Sequence, residues 1–204
     1  MERRPLKTRQ KIWPGKLARC LLRAGLTPNA VSLLSVVFAC GAAFLLTWRA
    51  WCWGGLLLAA GCIQLRLLCN LLDGLMAVEG GAKSPAGELF NELPDRPADV
   101  LILTAAGYGA GMPWLGWLAS CLALVTAYLR AFGASLGHGQ DFCGPGAKPQ
   151  RMFFLTMGCL GQSAASLAQL GWPVLAWALA LTAALTAATV VRRTLRLAGR
   201  LRSQ

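Results

Sequence analysis

The sequence predicts an all-α membrane protein with six transmembrane helices, preceded by a short amphipathic helix that lies in the membrane interface. Three observations favour this fold class. Hydrophobic residues make up 56% of the chain and the mean hydropathy is +0.52, above the balance of ordinary soluble domains. Six apolar runs follow one another, and most could cross a hydrocarbon core of about 30 Å as helices. Basic residues gather at both ends of the chain, as they do on one side of a membrane.

The chain has the length of one compact domain, with 204 residues. We expect a single membrane domain over 1–204, with a basic interfacial arm at 1–28 and a basic tail at 192–204. The net charge of +12 on so apolar a chain favours contact with anionic lipid headgroups over nucleic acid, and a topology signal alone explains it equally well. The eight cysteines show no zinc spacing and are expected to be small hydrophobic residues of the spans.

The basic arm contains the predicted amphipathic helix. Trp13, Leu17 and Leu21 recur at helical spacing, while basic residues fall on another face. Pro14 suits a first helical turn, and Gly25 suits the end of the helix. The alternative is a solvated basic tail without a helix.

The six apolar runs are the predicted spans. They are Ala30–Thr47, Gly54–Met76, Val100–Gly111, Trp114–Gly137, Met152–Leu170 and Pro173–Val191. The third run is short for a span unless its acidic lead-in, from Pro85 onward, belongs to the same helix, and we expect that it does.

Charges and tryptophans predict the orientation. Basic residues are concentrated at both termini, and the loops after the third and fifth spans contain no charge. Seven of the eight tryptophans lie near the three turns on the other side. Both termini and the acidic loop between spans two and three are therefore expected on the cytoplasmic side of a bacterial inner membrane.

Acidic residues are concentrated at the end of the second span and the start of the third. Six of the eight in the chain lie there: Asp73, Glu79, Glu88, Glu92, Asp95 and Asp99. Carboxylates at membrane depth are costly and persist where they pair, bind a cation or line a wet cavity. This cluster therefore predicts the functional site.

Helical spacing arranges this stretch into two rows of polar side chains. One face of the second span carries Arg66, Asn70, Asp73 and Ala77, with Gly74 beside it leaving the backbone open to a ligand. The next helix carries a second row: Gly87, Asn91, Asp95 and Asp99. A helical hairpin would bring the rows together as oxygen ligands for Mg²⁺ or Mn²⁺ with phosphate.

The same residues resemble the signature of the CDP-alcohol phosphatidyltransferases. That signature reads Asp, two residues, Asp-Gly, two residues, Ala-Arg, eight residues, Gly, three residues, Asp, three residues, Asp. The chain matches it at Asp73, Gly74, Ala77, Gly87 and Asp95. The segment TPNAVS at 27–32 is similar to the one that opens the family's first span, and the family has six spans.

The resemblance implies an activity. A phosphatidyl group would pass from CDP-diacylglycerol to an alcohol, CMP would leave, and Mg²⁺ or Mn²⁺ would hold the diphosphate. By position, Asn70, Asp73, Asn91 and Asp95 would be the metal ligands, and Asp95 the general base. A homodimer is also implied.

Three departures from the signature affect this assignment. Asn70 and Asn91 replace two aspartates, and Val78 replaces the arginine. The predicted ligand set therefore carries two negative charges instead of four. Asp99, one turn beyond Asp95, is best placed to compensate for the lost charge. One bacterial branch of the family carries this Asn-containing pattern with a following glutamate, here Glu92.

Prolines and basic residues complete the predicted site. Pro94 and Pro97 are expected to kink the third helix. Arg66 is expected to pair with Asp99 or Asp73. The candidate substrate contacts are Arg66, Gly74, Ala77, Gly87, Glu92, Arg130, Lys148 and Arg151. The last three would bind phosphate, of a phosphorylated acceptor or of the nucleotide lipid, and the alternative is that they are interfacial residues without a ligand.

Two other functions remain open from the sequence. The chain could be an inactive family member that binds a lipid nucleotide or serves as a scaffold. It could also be a transporter whose carboxylates line a cation pathway, although its other spans lack acidic residues.

Overall fold

A computed structural model describes residues 12–48, 52–79 and 92–202 of the chain. The secondary structure in these ranges is helical, which confirms the all-α prediction. The helices are α1 (Ile12–Arg23), α2 (Pro28–Trp48), α3 (Trp53–Glu79), α4 (Asp95–Gly109), α5 (Pro113–Ser135), α6 (Lys148–Leu167) and α7 (Val174–Arg202).

Four of the described helices, α2, α3, α5 and α7, are long and apolar enough to cross a membrane. They also expose large apolar side chains, such as Leu33 (66% exposed) on α2 and Leu58 (63%) on α3. Exposed apolar surface on this scale belongs in contact with lipid. The protein is therefore a membrane protein. The shorter α4 and the less apolar α6 do not meet this criterion.

Helix α1 forms where the sequence predicted a helix. It ends in a turn at Gly25, whose φ of +81° is open to glycine without strain. The Leu26 N–H donates to the Leu21 carbonyl and the Gly25 N–H to Leu22, which closes the helix end. Ala18 packs in a cluster with Leu72 and other residues of α3, so α1 lies against the end of that helix.

The remaining helices pack around α3 and α4. Helix α3 contacts α1, α2 and α6, while α4 contacts α2, α5 and α7. The main core is contributed by several helices and includes Leu46, Ile63, Ile102, Met152 and Leu179. Helices α4 and α5 approach closely at Gly107 and Gly116, where a Cβ added to Gly107 would lie 2.7 Å from the Gly116 backbone.

The start of α4 differs from the prediction. Leu93 and Pro94 form a turn, and α4 begins at Asp95 rather than continuing a helix from Pro85 through this point. Pro94 precedes the helix, and Pro97 lies in its first turn, where backbone N–H groups have no partner within the helix. The predicted kink at these prolines is wrong, because they mark a helix start instead of interrupting one.

Helix α7 extends beyond the predicted sixth span. The prediction ended that span at Val191, but the helix continues to Arg202. The described part of the basic tail is therefore a continuation of the helix, and its Arg193 is buried against the neighbouring loop and α5.

Candidate active site

The candidate site forms where the end of α3, the start of α4 and the start of α6 meet. Asp95, the first residue of α4, joins the three elements. Its Oδ2 accepts a hydrogen bond from Lys148 Nζ of α6 at 2.5 Å, and its Oδ1 accepts one from Asn70 Nδ2 of α3 at 2.7 Å. The Asp95 side chain remains 14% exposed. The predicted base is thus held in place by two helices and is still accessible.

Arg66 is fully buried beneath Asp95. Its Nη2 lies 3.3 Å from Asp95 Oδ1 and 2.8 Å from Asp99 Oδ1. Arg151 approaches Asp99 from the other side, with Nη2 3.0 Å from Oδ2. A buried charge is tolerated when it is paired, and these contacts pair all four groups.

Asp99 therefore has contacts that do not suit the metal-ligand role suggested by its spacing. Each of its carboxylate oxygens lies beside an arginine, and the side chain is only 3% exposed. Its negative charge serves to keep Arg66 and Arg151 in position, as the predicted pairing of Arg66 with Asp99 required.

Asp73, on the last turns of α3, is the buried carboxylate without an ion pair among the described residues. Its Oδ2 accepts a hydrogen bond from Ser32 Oγ at 2.5 Å, and Ser32 belongs to the TPNAVS segment that opens α2. Its Oδ1 is buried without a hydrogen-bond partner in the described part of the chain. Such an oxygen is costly unless a ligand satisfies it.

The donor set around Asp73 suits a hard divalent cation. Asp73, Asn70 and Asp95 offer carboxylate and amide oxygens, the ligands that Mg²⁺ and Mn²⁺ prefer. Within 12–48, 52–79 and 92–202, no group of three or more His, Cys, Asp or Glu could hold a metal ion without other ligands. Asn91 and Gly87, two predicted site residues, lie outside those ranges.

The remaining predicted residues lie at the edges of this cluster. Gly74 and Ala77 are on α3 beside Asp73. Glu92 Oε2 accepts hydrogen bonds from Arg96 at 2.8 Å and from Arg130 at 2.5 Å, and Glu92 is half exposed. Arg130 also lies over the Phe142 ring. Arg130 is thus an already paired cation near the surface.

Comparison with known proteins finds relatives of this chain that are described as synthases and transferases. No protein-family model matches it. It is 27% identical to a phosphatidylinositol phosphate synthase of Mycobacterium marinum over 83% of this chain and 74% of that protein. It is 33% identical to a protein of the same description from Cutibacterium acnes, over 59% of each. It is 35% identical to the bifunctional IPC transferase and DIPP synthase of Rubrobacter xylanophilus over 74% of this chain, but the match spans only 35% of that longer protein.

Solved structures share the fold. A crystal structure of Mycobacterium tuberculosis phosphatidylinositol phosphate synthase in complex with manganese and citrate superposes with a TM-score of 0.75 at 24% identity, covering 90% of this chain and 88% of that one. The same enzyme with CDP-DAG bound gives 0.73 at 22% identity, covering 90% and 92%. The chain belongs to the CDP-alcohol phosphatidyltransferase family.

The sequence pattern did not predict the contacts of Arg193. Arg193 Nε donates to the Cys143 carbonyl at 2.9 Å, and Nη1 donates to the Thr126 carbonyl at 2.7 Å. Thr189 lies one turn earlier on α7 and accepts a hydrogen bond from the Gly146 N–H at 2.7 Å. The four-residue spacing of Thr189 and Arg193, which places both on one face of a helix, was the signal that could have indicated these contacts. These contacts fasten the turn before α6 to α7.

The same turn is tied to the cationic side of the candidate site. Arg151 Nη1 donates to the Gly146 carbonyl at 2.7 Å, so the arginine that pairs with Asp99 also holds the turn preceding Lys148. In this loop, partial burial raises the pKa of Asp141, but hydrogen bonds from Cys143 and the charge of Arg196 outweigh it and leave that pKa below its usual value.

Proposed function

We propose that this protein transfers a phosphatidyl group from CDP-diacylglycerol to an alcohol and releases CMP. The observation that carries the proposal is the placement of Asp95, accessible and held by Lys148 and by Asn70, which lies one helical turn from Asp73 and its unsatisfied Oδ1. The relatives described as phosphatidylinositol phosphate synthases, and the neighbour solved with CDP-DAG, support the same reaction.

In the proposed reaction, Asp95 accepts the proton of the acceptor hydroxyl. The hydroxyl oxygen bonds to the phosphorus of the phosphatidyl group, and the bond from that phosphorus to the CMP oxygen breaks. Lys148 and Arg66 stabilise the negative charge of Asp95 before the proton arrives, and Asn70 orients the carboxylate through Oδ1.

Asp73, Asn70 and Asp95 are the described residues that would hold Mg²⁺ or Mn²⁺, together with Asn91. The ion would neutralise the diphosphate and stabilise charge on the departing CMP. The neighbouring structure in complex with manganese supports this choice of metal.

The proposed acceptor is a phosphorylated alcohol. Lys148 and Arg130 are cations at the site whose side chains remain partly exposed, each 19%. Arg151 is almost fully buried, so it supports the site from beneath instead of reaching a substrate. The description of the relatives as phosphatidylinositol phosphate synthases favours an acceptor that carries a phosphate.

We also propose the topology predicted from the sequence. Helices α4 and α6 would complete six spans, with α1 in the interface, and both termini and the site would face the cytoplasm of a bacterium. The family relationship favours a homodimer. All three features stand as predictions beyond the four apolar helices.

Acceptor-dependent CMP release tests the function. The purified protein in lipid nanodiscs would receive CDP-diacylglycerol, Mg²⁺ or Mn²⁺ and a panel of alcohols that includes inositol phosphate, glycerol 3-phosphate, serine and inositol. We expect CMP and a new phospholipid with a phosphorylated acceptor. Tight CDP-diacylglycerol binding without CMP release on any acceptor would support the inactive-binder alternative instead.

A further inference from the structure

We propose that this chain uses one divalent cation instead of two, and that Lys148 supplies the positive charge a second ion would bring. The inference rests on the proposed function and concerns the same site. It follows from what Asn70, Lys148 and Asp99 do in the structure.

Asn70 acts on Asp95 in a way that an aspartate could not. Its Nδ2 donates a hydrogen bond to Asp95 Oδ1 at 2.7 Å. A carboxylate at position 70 has no hydrogen to donate and would repel Asp95. With an aspartate at position 70, two anionic metal ligands would face each other. The amide of Asn70 instead forms a hydrogen bond with Asp95, and it removes one negative charge from the site.

Asp95 already contacts two cations of the protein, which limits the number of further cations that this carboxylate can hold. Lys148 Nζ donates a hydrogen bond to Asp95 Oδ2, and Arg66 Nη2 lies 3.3 Å from Asp95 Oδ1. A second divalent ion at this carboxylate would lie close to both side chains. Repulsion between like charges at such distances in a poorly solvated site opposes its binding.

Asp99 does not offer a replacement site. Both of its oxygens are beside arginine, Arg66 at 2.8 Å and Arg151 at 3.0 Å. Asp73 differs, because it has no ion pair among the described residues, and its buried Oδ1 also has no hydrogen-bond partner there, while the residue is 3% exposed. One cation at Asp73 would satisfy the one buried carboxylate of the described residues that has no ion pair.

The charges of the cluster agree with a single ion. Its three carboxylates, Asp73, Asp95 and Asp99, are matched by three cations, Arg66, Lys148 and Arg151. One divalent ion then balances the two negative charges of a diphosphate, and a second would be left without counter-charge. Asn70 and Asn91 remove two negative charges relative to the family signature, the amount that balances one divalent ion.

Counting Mn²⁺ ions by electron paramagnetic resonance tests the inference. The full chain in nanodiscs with CDP-diacylglycerol would be titrated with Mn²⁺. We expect about one ion per chain and a spectrum without Mn–Mn coupling. The double variant Asn70→Asp, Asn91→Asp should bind a second ion and show coupling, whereas Asp141→Asn, which changes one charge in the loop before α6 and outside the cluster, should match the parent.

The number of Mn²⁺ ions bound per wild-type chain tests the inference even if the double variant does not fold. Two coupled ions per wild-type chain would overturn the inference and leave the proposed transferase function intact. One uncoupled ion without CMP release on any acceptor would support the inference while refuting the function. Absence of Mn²⁺ binding would refute the inference, and the CMP-release assay would decide the function separately.

Discussion

At the scale of single residues, the site depends on a chain of buried and half-buried charges. Arg66 is fully buried and contacts Asp95 and Asp99, while Arg151 joins Asp99 to the turn at Gly146. Each ion is stabilised in the low-dielectric interior only by its partner. Removing one partner therefore has a larger effect than removing an exposed pair.

Asp99→Asn should destabilise the protein strongly. It leaves Arg66 and Arg151 with fewer compensating charges in a buried site, and breaking such a pair costs about 3–5 kcal/mol. Glu92→Gln is the matched control, because its ion pairs are half exposed and such pairs contribute roughly 0–1 kcal/mol. Thermal unfolding in detergent would measure the melting temperatures of both variants and of the parent. Equal melting temperatures for the two variants would contradict the ascribed role of Asp99.

Asp73→Ala should abolish metal-dependent activity while the protein still inserts and folds. The substitution removes the oxygen that lacks a partner, so it does not disturb an ion pair. Mn²⁺ should raise the melting temperature of the parent, because a ligand that binds only the folded state stabilises it, but not that of the variant. A variant that is still stabilised by Mn²⁺ and releases CMP normally would place the metal elsewhere.

Residue patterns in the sequence predicted much of this cluster but not its partners. Asn70 and Asp73 share a face of α3 because helical spacing is a local property. The hydrogen bond from Ser32 to Asp73 and the contacts of Arg193 depend on how separate helices pack, which no local pattern encodes. Pro94 and Pro97 led to the prediction of a kink, because their place at a helix start depends on where the preceding turn falls.

At the scale of elements, the position of α6 depends on the turn that precedes it. Gly144 has a φ of +119°, and a Cβ added there would come within 3 Å of Thr189. The Gly146 N–H donates a hydrogen bond to Thr189, and the Gly146 carbonyl accepts one from Arg151. This turn therefore sets where Lys148 meets Asp95.

Gly146→Ala should lower CMP release. A Cβ at this position would lie 2.4 Å from the Thr186 backbone nitrogen, so the turn must shift and take the start of α6 with it. Gly61→Ala on α3 is the control, since its Cβ meets nothing within 4 Å. Steady-state CMP release and melting temperature would be measured for both. Parent-like activity of Gly146→Ala would show that the turn does not position Lys148.

At the scale of the whole molecule, the account requires the site to lie at one membrane face. The end of α3 and the starts of α4 and α6 meet there, and α1 packs against the same end of α3. Length and apolar composition mark four helices that could span a membrane, whereas α4 is shorter and α6 is less apolar, and both carry site residues. Fold class was thus predictable from composition, and the boundaries of the site-bearing helices were not.

Single-cysteine labelling in a cysteine-free background would test the topology. Residues 83 and 148 should react from the cytoplasmic side, and residues 51 and 113 from the opposite side, because the basic residues and tryptophans divide in this way. Labelling of residues 83 and 113 from the same side would exclude the six-span arrangement.

The rate of CMP release by Asp95→Asn tests the central claim most directly. The substitution keeps the size of the side chain and one oxygen but removes the group that accepts the proton. At saturating Mg²⁺, we expect CDP-diacylglycerol binding to persist in part, while transfer to the preferred acceptor falls by roughly 10²–10⁴-fold, the usual contribution of a positioned base. If Asp95→Asn instead transfers at the parent rate, Asp95 is not the base, and the assignment carried over from the family signature is wrong.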